Sequence, residues 1–268
     1  MRRIKMTVEY DGTDFAGFQT QAAGLRTVQG DLFRAVERIT GEQSIVHGAG
    51  RTDAGVHALG QVVHFSTAST MPIARLEQGL NAVLPSDVSV RSSEEVGSGF
   101  HARYSATRRS YVYMVLSRAP RSAIWARYSH HEPRRLDLER MCRAAETLVG
   151  THDFSAFANA GGDPGSTMVR HLERLRVGRV GGGNMIAIRV SANAFLRSMV
   201  RNIVGLLLDV GRGALPVVSV GGILDAKDRT LNPCATAPAK GLCLYRVEYG
   251  VIAGGERDER AELVDEEG

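Results

Sequence analysis

Apolar and polar positions switch along the chain between a period of two and a period near 3.6, and the switches mark out elements. Residues 4–10 alternate as a strand. Val28, Leu32, Val36 and Ile39 then recur at helical spacing behind Thr27, a residue suited to the N-cap. Residues 44–47 and 61–65 read as strands. Pro72 opens a helix whose apolar positions Ile73, Leu76, Leu80 and Val83 run toward Pro85, and 88–90 adds a strand. The order strand, helix, strand, strand, helix, strand is the ferredoxin-like split βαββαβ arrangement.

The second half repeats that order. Residues 110–116 predict a strand and 136–149 a helix; 172–180 and 185–190 form a hairpin through 181–184. A strongly apolar helix over 194–210, a second over 217–226 and a closing strand over 242–249 complete it. The expected fold is α+β: two ferredoxin-like lobes, residues 1–105 and 106–252, whose sheets join edge to edge into a continuous, mainly antiparallel sheet with a central cleft. Residues 97–106 are the connection, 158–166 a loop insertion, and 253–268 an acidic tail expected to be disordered.

Composition narrows the class. A chain of 268 residues that is 43% hydrophobic buries a substantial core, and it contains no apolar run long enough to span a membrane. Without a signal-like N-terminus it is expected in the cytoplasm. Its three cysteines, Cys142, Cys234 and Cys243, have neither disulfide nor zinc spacing. The net charge of +4 includes the acidic tail, so the body is more basic than the whole, which modestly favours an anionic partner.

Candidate chemistry gathers at residues 48–65, GAGRTDAGVHALGQVVHF, where Gly48, Gly50 and Gly55 bracket Arg51, Thr52 and Asp53. Glycines let a loop turn tightly and carry a charged pair to a ligand. The plainer alternative is a hairpin in which Asp53 bonds its own backbone. On the predicted helix over 194–210, Arg201 shares a partly dry stripe with Arg197, Val204 and Leu208. Such a cation either finds a counter-charge or reaches solvent along its stem. Between the halves, Phe100, His101, Arg103, Tyr104, Arg108, Arg109, Tyr111 and Tyr113 interleave bases and aromatics, the composition of a surface that neutralises phosphate and stacks nucleobases. Tyr111 and Tyr113 also read as an ordinary pair on one strand face.

Other chemistries fail on spacing. His130-His131-Glu132 supplies the H-x-E of a zinc nucleobase deaminase, but the run from Pro233-Cys234 lacks the second thiolate. Gly48-Ala49-Gly50 begins like a dinucleotide fingerprint, yet Asp53 occupies the third glycine position and a strand follows. His57, His64, His101 and His152 show no metal-ligand spacing.

The segments VEYDGTDFAGFQ, GAGRTDAGVHALGQ, LNAVLPSDVSV, FHARYSATRRSYVY, HDFSAF and ANAFLRSMVRNIVG, in this order, closely resemble the tRNA pseudouridine synthase A family. The likeness runs from Arg3 to about Tyr249; one departure is Phe18, where the family commonly has Trp. It implies the pseudouridine synthase fold, no cofactor or metal, a homodimer, and isomerisation of uridine at positions 38, 39 and 40 in the anticodon arm of tRNA. By the same resemblance Asp53 is the catalytic aspartate, as nucleophile or base, and Arg201 its ion-pair partner. Arg51 enters the space left by the extruded base, Tyr111 stacks in the site, and Leu242 packs against the target base. Arg103, Arg108 and Arg109 are expected to contact phosphates. The alternative is a non-catalytic RNA-binding or tRNA-folding module, which would not need Asp53 and Arg201 together.

Overall fold

The computed structural model describes residues 1–21, 24–161, 167–181 and 183–250. The tail at 253–268, the turn residue Gly182 and most of the predicted insertion at 158–166 lie outside them. The first half runs β1 (Arg2–Tyr10), α1 (Val28–Thr40), β2 (His47–Gly48), β3 (His57–Thr67), α2 (Ile73–Val83) and β4 (Val88–Val96). The second runs β5 (Ala106–Ser117), β6 (His130–Glu132), α3 (Leu138–Leu148), β7 (Gly150–Asp153), β8 (Val169–Val180), β9 (Met185–Ala192), α4 (Met199–Gly211), α5 (Ser219–Ala226) and β10 (Leu242–Tyr249).

One sheet holds the strands in the order β4-β1-β3-β10-β5-β9-β8-β7, with β2 on the edge of β3 and β6 on β5. Each half therefore repeats the same arrangement. β4-β1-β3 with β2 corresponds position by position to β10-β5-β9 with β8, the order of a split βαββαβ unit. The halves join where β10 pairs with β3, the two pairs Cys243 to His57 and Leu244 to Ala58, so neither strand is left with a bare edge at the seam.

Local sequence explains most boundaries. The Thr27 side chain accepts from Gly30 N–H to cap α1, and Asp137 does the same for α3 through Arg140 N–H. The strand expected over 44–47 shrinks to His47–Gly48. The Val46 carbonyl is taken by the Gln29 side chain and the Ser44 hydroxyl by the Ser66 carbonyl, which leaves no ladder to extend. The helix expected from residue 194 begins only at Met199. Ser198 sits in the left-handed region at φ 60°, and Asn193 Oδ1 accepts the N–H of Ala194, so 194–198 folds as a loop. Leu136 and Val217 likewise lie outside the helices predicted to include them.

Alternation along the strands separates two faces. Ile4, Met6, Val8 and Tyr10 of β1 and Tyr111, Tyr113 and Val115 of β5 are buried, on the face where α2 packs against β4 and α3 against β8. Arg108, Ser110, Val112 and Met114 alternate to the opposite face. The segment from Gly97 to Ser105 crosses toward β5, placing Ala102 N–H on His64 Nδ1 at 3.1 Å, the Lys5 ammonium 5.7 Å from the Phe100 ring centre, and the Arg103 carbonyl on Arg109, which alternates to the Tyr111 face.

Candidate active site

The loop between β2 and β3 starts at Ala49 and is pinned from several sides. Ala49 N–H donates to Val62 O at 2.7 Å, Gln61 Nε2 to Gly50 O at 2.8 Å, and Phe18 N–H to Thr52 O at 3.0 Å. Thr52 is buried, its hydroxyl 2.8 Å from the Tyr10 hydroxyl. Gly55, at φ 77°, lets the chain turn back into β3, with Val56 N–H on Asp53 O at 3.1 Å. Phe18 is fully packed beneath: a Cβ on Gly48 would stand 2.4 Å from its ring. These bonds fix the backbone on both sides of Asp53 and leave its side chain to point outward from the loop.

That side chain does not bond its own turn. Arg201 Nη1, from the first turn of α4, donates to Asp53 Oδ2 at 2.7 Å, and the Ser198 hydroxyl lies 3.3 Å from the same oxygen. Arg201 Nε donates to Ala237 O at 2.8 Å, so its guanidinium is held at both ends. Asp53 keeps 29% of its side-chain surface exposed and Arg201 20%. Both hydrogen bonds converge on Oδ2, leaving Oδ1 without a partner among the described residues and open to solvent or substrate. A carboxylate held this way serves either as a nucleophile or as a base.

Tyr111 stands on β5 beside the Asp53 loop. It is buried, its ring meets Phe195 edge to face at 5.2 Å, and its hydroxyl lies 3.8 Å from where a Cβ on Gly50 would stand. Burial pushes its phenol up to about 12; Asp53 adds to that and Arg109 opposes it, so the ring stays neutral near pH 7. Leu242 is buried on the same face, opposite Tyr113, while Leu244 stands directly across from Tyr111. The Tyr113 hydroxyl donates to Pro238 O at 2.9 Å and fixes the segment that also presents Ala237 to Arg201.

The basic residues separate into different roles. Arg51 is exposed on the loop itself. Arg103 is half-buried and its guanidinium lies 5.7 Å from the Tyr104 ring centre. Arg108 points to the face opposite Tyr111 and is paired with Glu173 at 2.5 Å and Glu248 at 2.9 Å. Arg109 donates to four carbonyls, those of Ala106, Asn193, Ala49 and Arg103, and so ties the loop start to the connecting segment. Expected as phosphate contacts, these last two arginines have protein partners of their own.

Sequence patterns did not single out Ser198, Phe195 or the Ala237 carbonyl. The signal was hidden because 194–198 carries helical periodicity while its backbone leaves the helix at Ser198. Among the described residues no group of three or more His, Cys, Asp or Glu is placed to hold a metal ion.

Comparison with known proteins points to one family. A family model described as tRNA pseudouridine synthase matches residues 6–105 and 144–250. The tRNA pseudouridine synthase A of Maridesulfovibrio salexigens is 43% identical over 96% of the chain and 94% of its own length. Those of Roseiflexus castenholzii and Moorella thermoacetica are 42% and 44% identical, over 93% and 92% of the chain and 91% and 99% of their own lengths.

Proposed function

The chain belongs to the tRNA pseudouridine synthase family, and from that premise we propose that Asp53 and Arg201 carry its reaction, the isomerisation of uridine to pseudouridine in tRNA. The enzyme is an isomerase: the sugar linkage moves from N1 to C5 of the same base, with no redox change and no atom gained or lost. One ionised carboxylate suffices for that rearrangement.

The observation that carries the assignment is Asp53 Oδ2 at 2.7 Å from Arg201 Nη1, with Oδ1 unpartnered among the described residues and the Asp53 charge felt by the buried Tyr111. Asp53 acts on the sugar or on C6 of the base as nucleophile, or on the sugar as base; Arg201 orients and neutralises it. The uridine must first leave its stack, which costs a few kcal/mol and least in a loop or at the end of a stem. Arg51 enters the vacated space, Tyr111 stacks on the extruded base and Leu242 lines the pocket beneath it.

The substrate uridines are those at positions 38, 39 and 40 of the anticodon arm, and the two lobes divide near residue 105. The enzyme works in the cytoplasm as a homodimer. Exposed Leu59 and Tyr245 and half-buried Val112 and Met114 on the sheet face opposite Tyr111, together with exposed Ile124 and Trp125, support a second copy as the cover for that face. No helix among the described residues is long and apolar enough to cross a membrane. The test is to map pseudouridine in unmodified tRNA after incubation with the purified chain. Conversion at 38–40 is expected, whereas binding without any conversion would leave only an RNA-binding module.

A further inference from the structure

Tyr104 is the most exposed of the Phe, Tyr and Trp residues among those described, 77% accessible as a residue, and yet it is fixed in place. Its ring packs on His101 with centroids 4.4 Å apart and planes 34° apart, and the Arg103 guanidinium lies 5.7 Å from its centre. His101 cannot swing away. Its Nδ1 accepts the N–H of Arg103 at 3.1 Å and of Tyr104 at 3.4 Å, and its ring is backed by His64 at 4.6 Å and His47 at 5.3 Å. The flanking backbone is anchored as well, Ala102 O by the Tyr249 hydroxyl at 2.8 Å and the His101 N–H by Ser105 Oγ at 3.0 Å.

The ring is also tied to the catalytic loop. Arg109 Nη2 donates at once to Arg103 O, at 2.5 Å, and to Ala49 O, at 3.2 Å, so the residue preceding Tyr104 and the residue that opens the Asp53 loop share one nitrogen. An exposed, preorganised ring with a cation beside it offers what a nucleobase recognises: a flat π-face at small entropic cost, attractive to any of the four bases.

We propose that Tyr104, held by His101 and flanked by Arg103, is a stacking platform for an unpaired nucleobase next to the uridine being isomerised. The platform rests on the reading of the chain as a tRNA enzyme. Because stacking tolerates any base, it holds the RNA near Asp53 without requiring one neighbouring sequence, as an enzyme that serves three adjacent positions needs. Tyr104 binds and positions; it takes no part in the bond changes.

The experiment compares full-length wild type, Tyr104→Leu and Tyr104→Trp on one unmodified tRNA transcript, by equilibrium titration, steady-state kinetics and sedimentation velocity. Stacking on an aromatic is worth about 1–3 kcal/mol per base, so Tyr104→Leu should raise Kd roughly tenfold, with KM affected more than kcat, while Tyr104→Trp stays near wild type. Equal Kd for wild type and Leu overturns the platform, as does equal weakening in Leu and Trp. A Leu variant that weakens binding only by changing the oligomeric state also overturns it and makes Tyr104 a contact between copies. If wild type forms no pseudouridine while Leu still weakens binding and Trp does not, the platform stands and the enzymatic reading fails.

Discussion

Asp53 and Arg201 are 148 positions apart in the chain, and Nη1 of the arginine lies 2.7 Å from Oδ2 of the aspartate. One comes from the loop between β2 and β3, the other from α4, so the pair exists only when the two halves of the sheet are joined through β3 and β10. Ala237 O on Arg201 Nε and Ser198 on the carboxylate bring in two further segments. An ion pair this exposed adds little net stability; its consequence is orientation, one carboxylate oxygen held and the other presented.

Asp53→Asn keeps the size and local hydrogen-bonding capacity of the side chain and removes its charge. Pseudouridine formation should fall to background while tRNA affinity stays within a few-fold, measured on the same folded preparation. Were Asp53 only a turn residue, asparagine would replace it with little effect.

Arg201→Ala should also abolish turnover, because the carboxylate loses its orienting partner. Thermal unfolding of both single variants and the double variant closes a cycle. With the pair in direct contact, the double variant should be less destabilised than the sum of the singles. Strict additivity would remove the coupling.

Much of the fold around this site was legible from side-chain type and period. The strand ending at Tyr10, the Thr27 cap and the closing strand over 242–249 follow local rules, since each is a short-range choice between apolar and polar positions, whereas the Arg201 counter-charge came from the family resemblance. What was not legible depends on contacts across the sheet. β2 stops at two residues because Gln29, 17 positions away from Val46, takes its carbonyl. The loop at 194–198 reads as helix until Asn193 and Asp53 compete for it. Arg108 and Arg109 look alike in sequence, yet strand alternation sends them to opposite faces, one to Glu173 and Glu248 and the other to four carbonyls.

The isomerisation exchanges no electrons and adds no atom, so a carboxylate and a cation meet its needs. Turnover on tRNA should therefore survive exhaustive chelation, assayed by tritium release from C5-labelled uridine. Loss on chelation with recovery on adding zinc would show that Asp53 does not act alone.

Acid should destabilise the fold through His64. This imidazole is buried, accepts from Ala102 N–H at Nδ1, and is lowered from 6.5 to about 4 by burial first, then by His101, His47 and Arg3. The folded state thus disfavours its protonation. The stability contributed by the neutral ring is full above pH 6.5 and is lost progressively as pH falls from 6.5 toward 4. Taken over that whole window the loss is on the order of 2–3 kcal/mol. His64→Gln should flatten the dependence of melting temperature on pH in this range; an unchanged slope would place the acid sensitivity elsewhere.

Salt dependence should separate the three arginines between the lobes. A side chain that contacts a phosphate releases counterions, and its removal lowers the slope of log affinity against log salt by about one. Arg103, beside the exposed Tyr104 ring and joined through Arg109 to the Asp53 loop, should show that change on replacement by alanine. Arg108 is already neutralised by Glu173 and Glu248 and lies on the face away from Tyr111, so Arg108→Ala should leave the slope unaltered. Arg109 is different again. Removing it strips a cationic donor from four carbonyls, which should cost on the order of 3 kcal/mol of stability and weaken tRNA binding by loosening the Ala49 end of the loop. Its slope should stay near wild type while its melting temperature falls. A unit drop in slope for Arg108→Ala, with Arg103→Ala unchanged, would move the RNA path to the opposite face of the sheet.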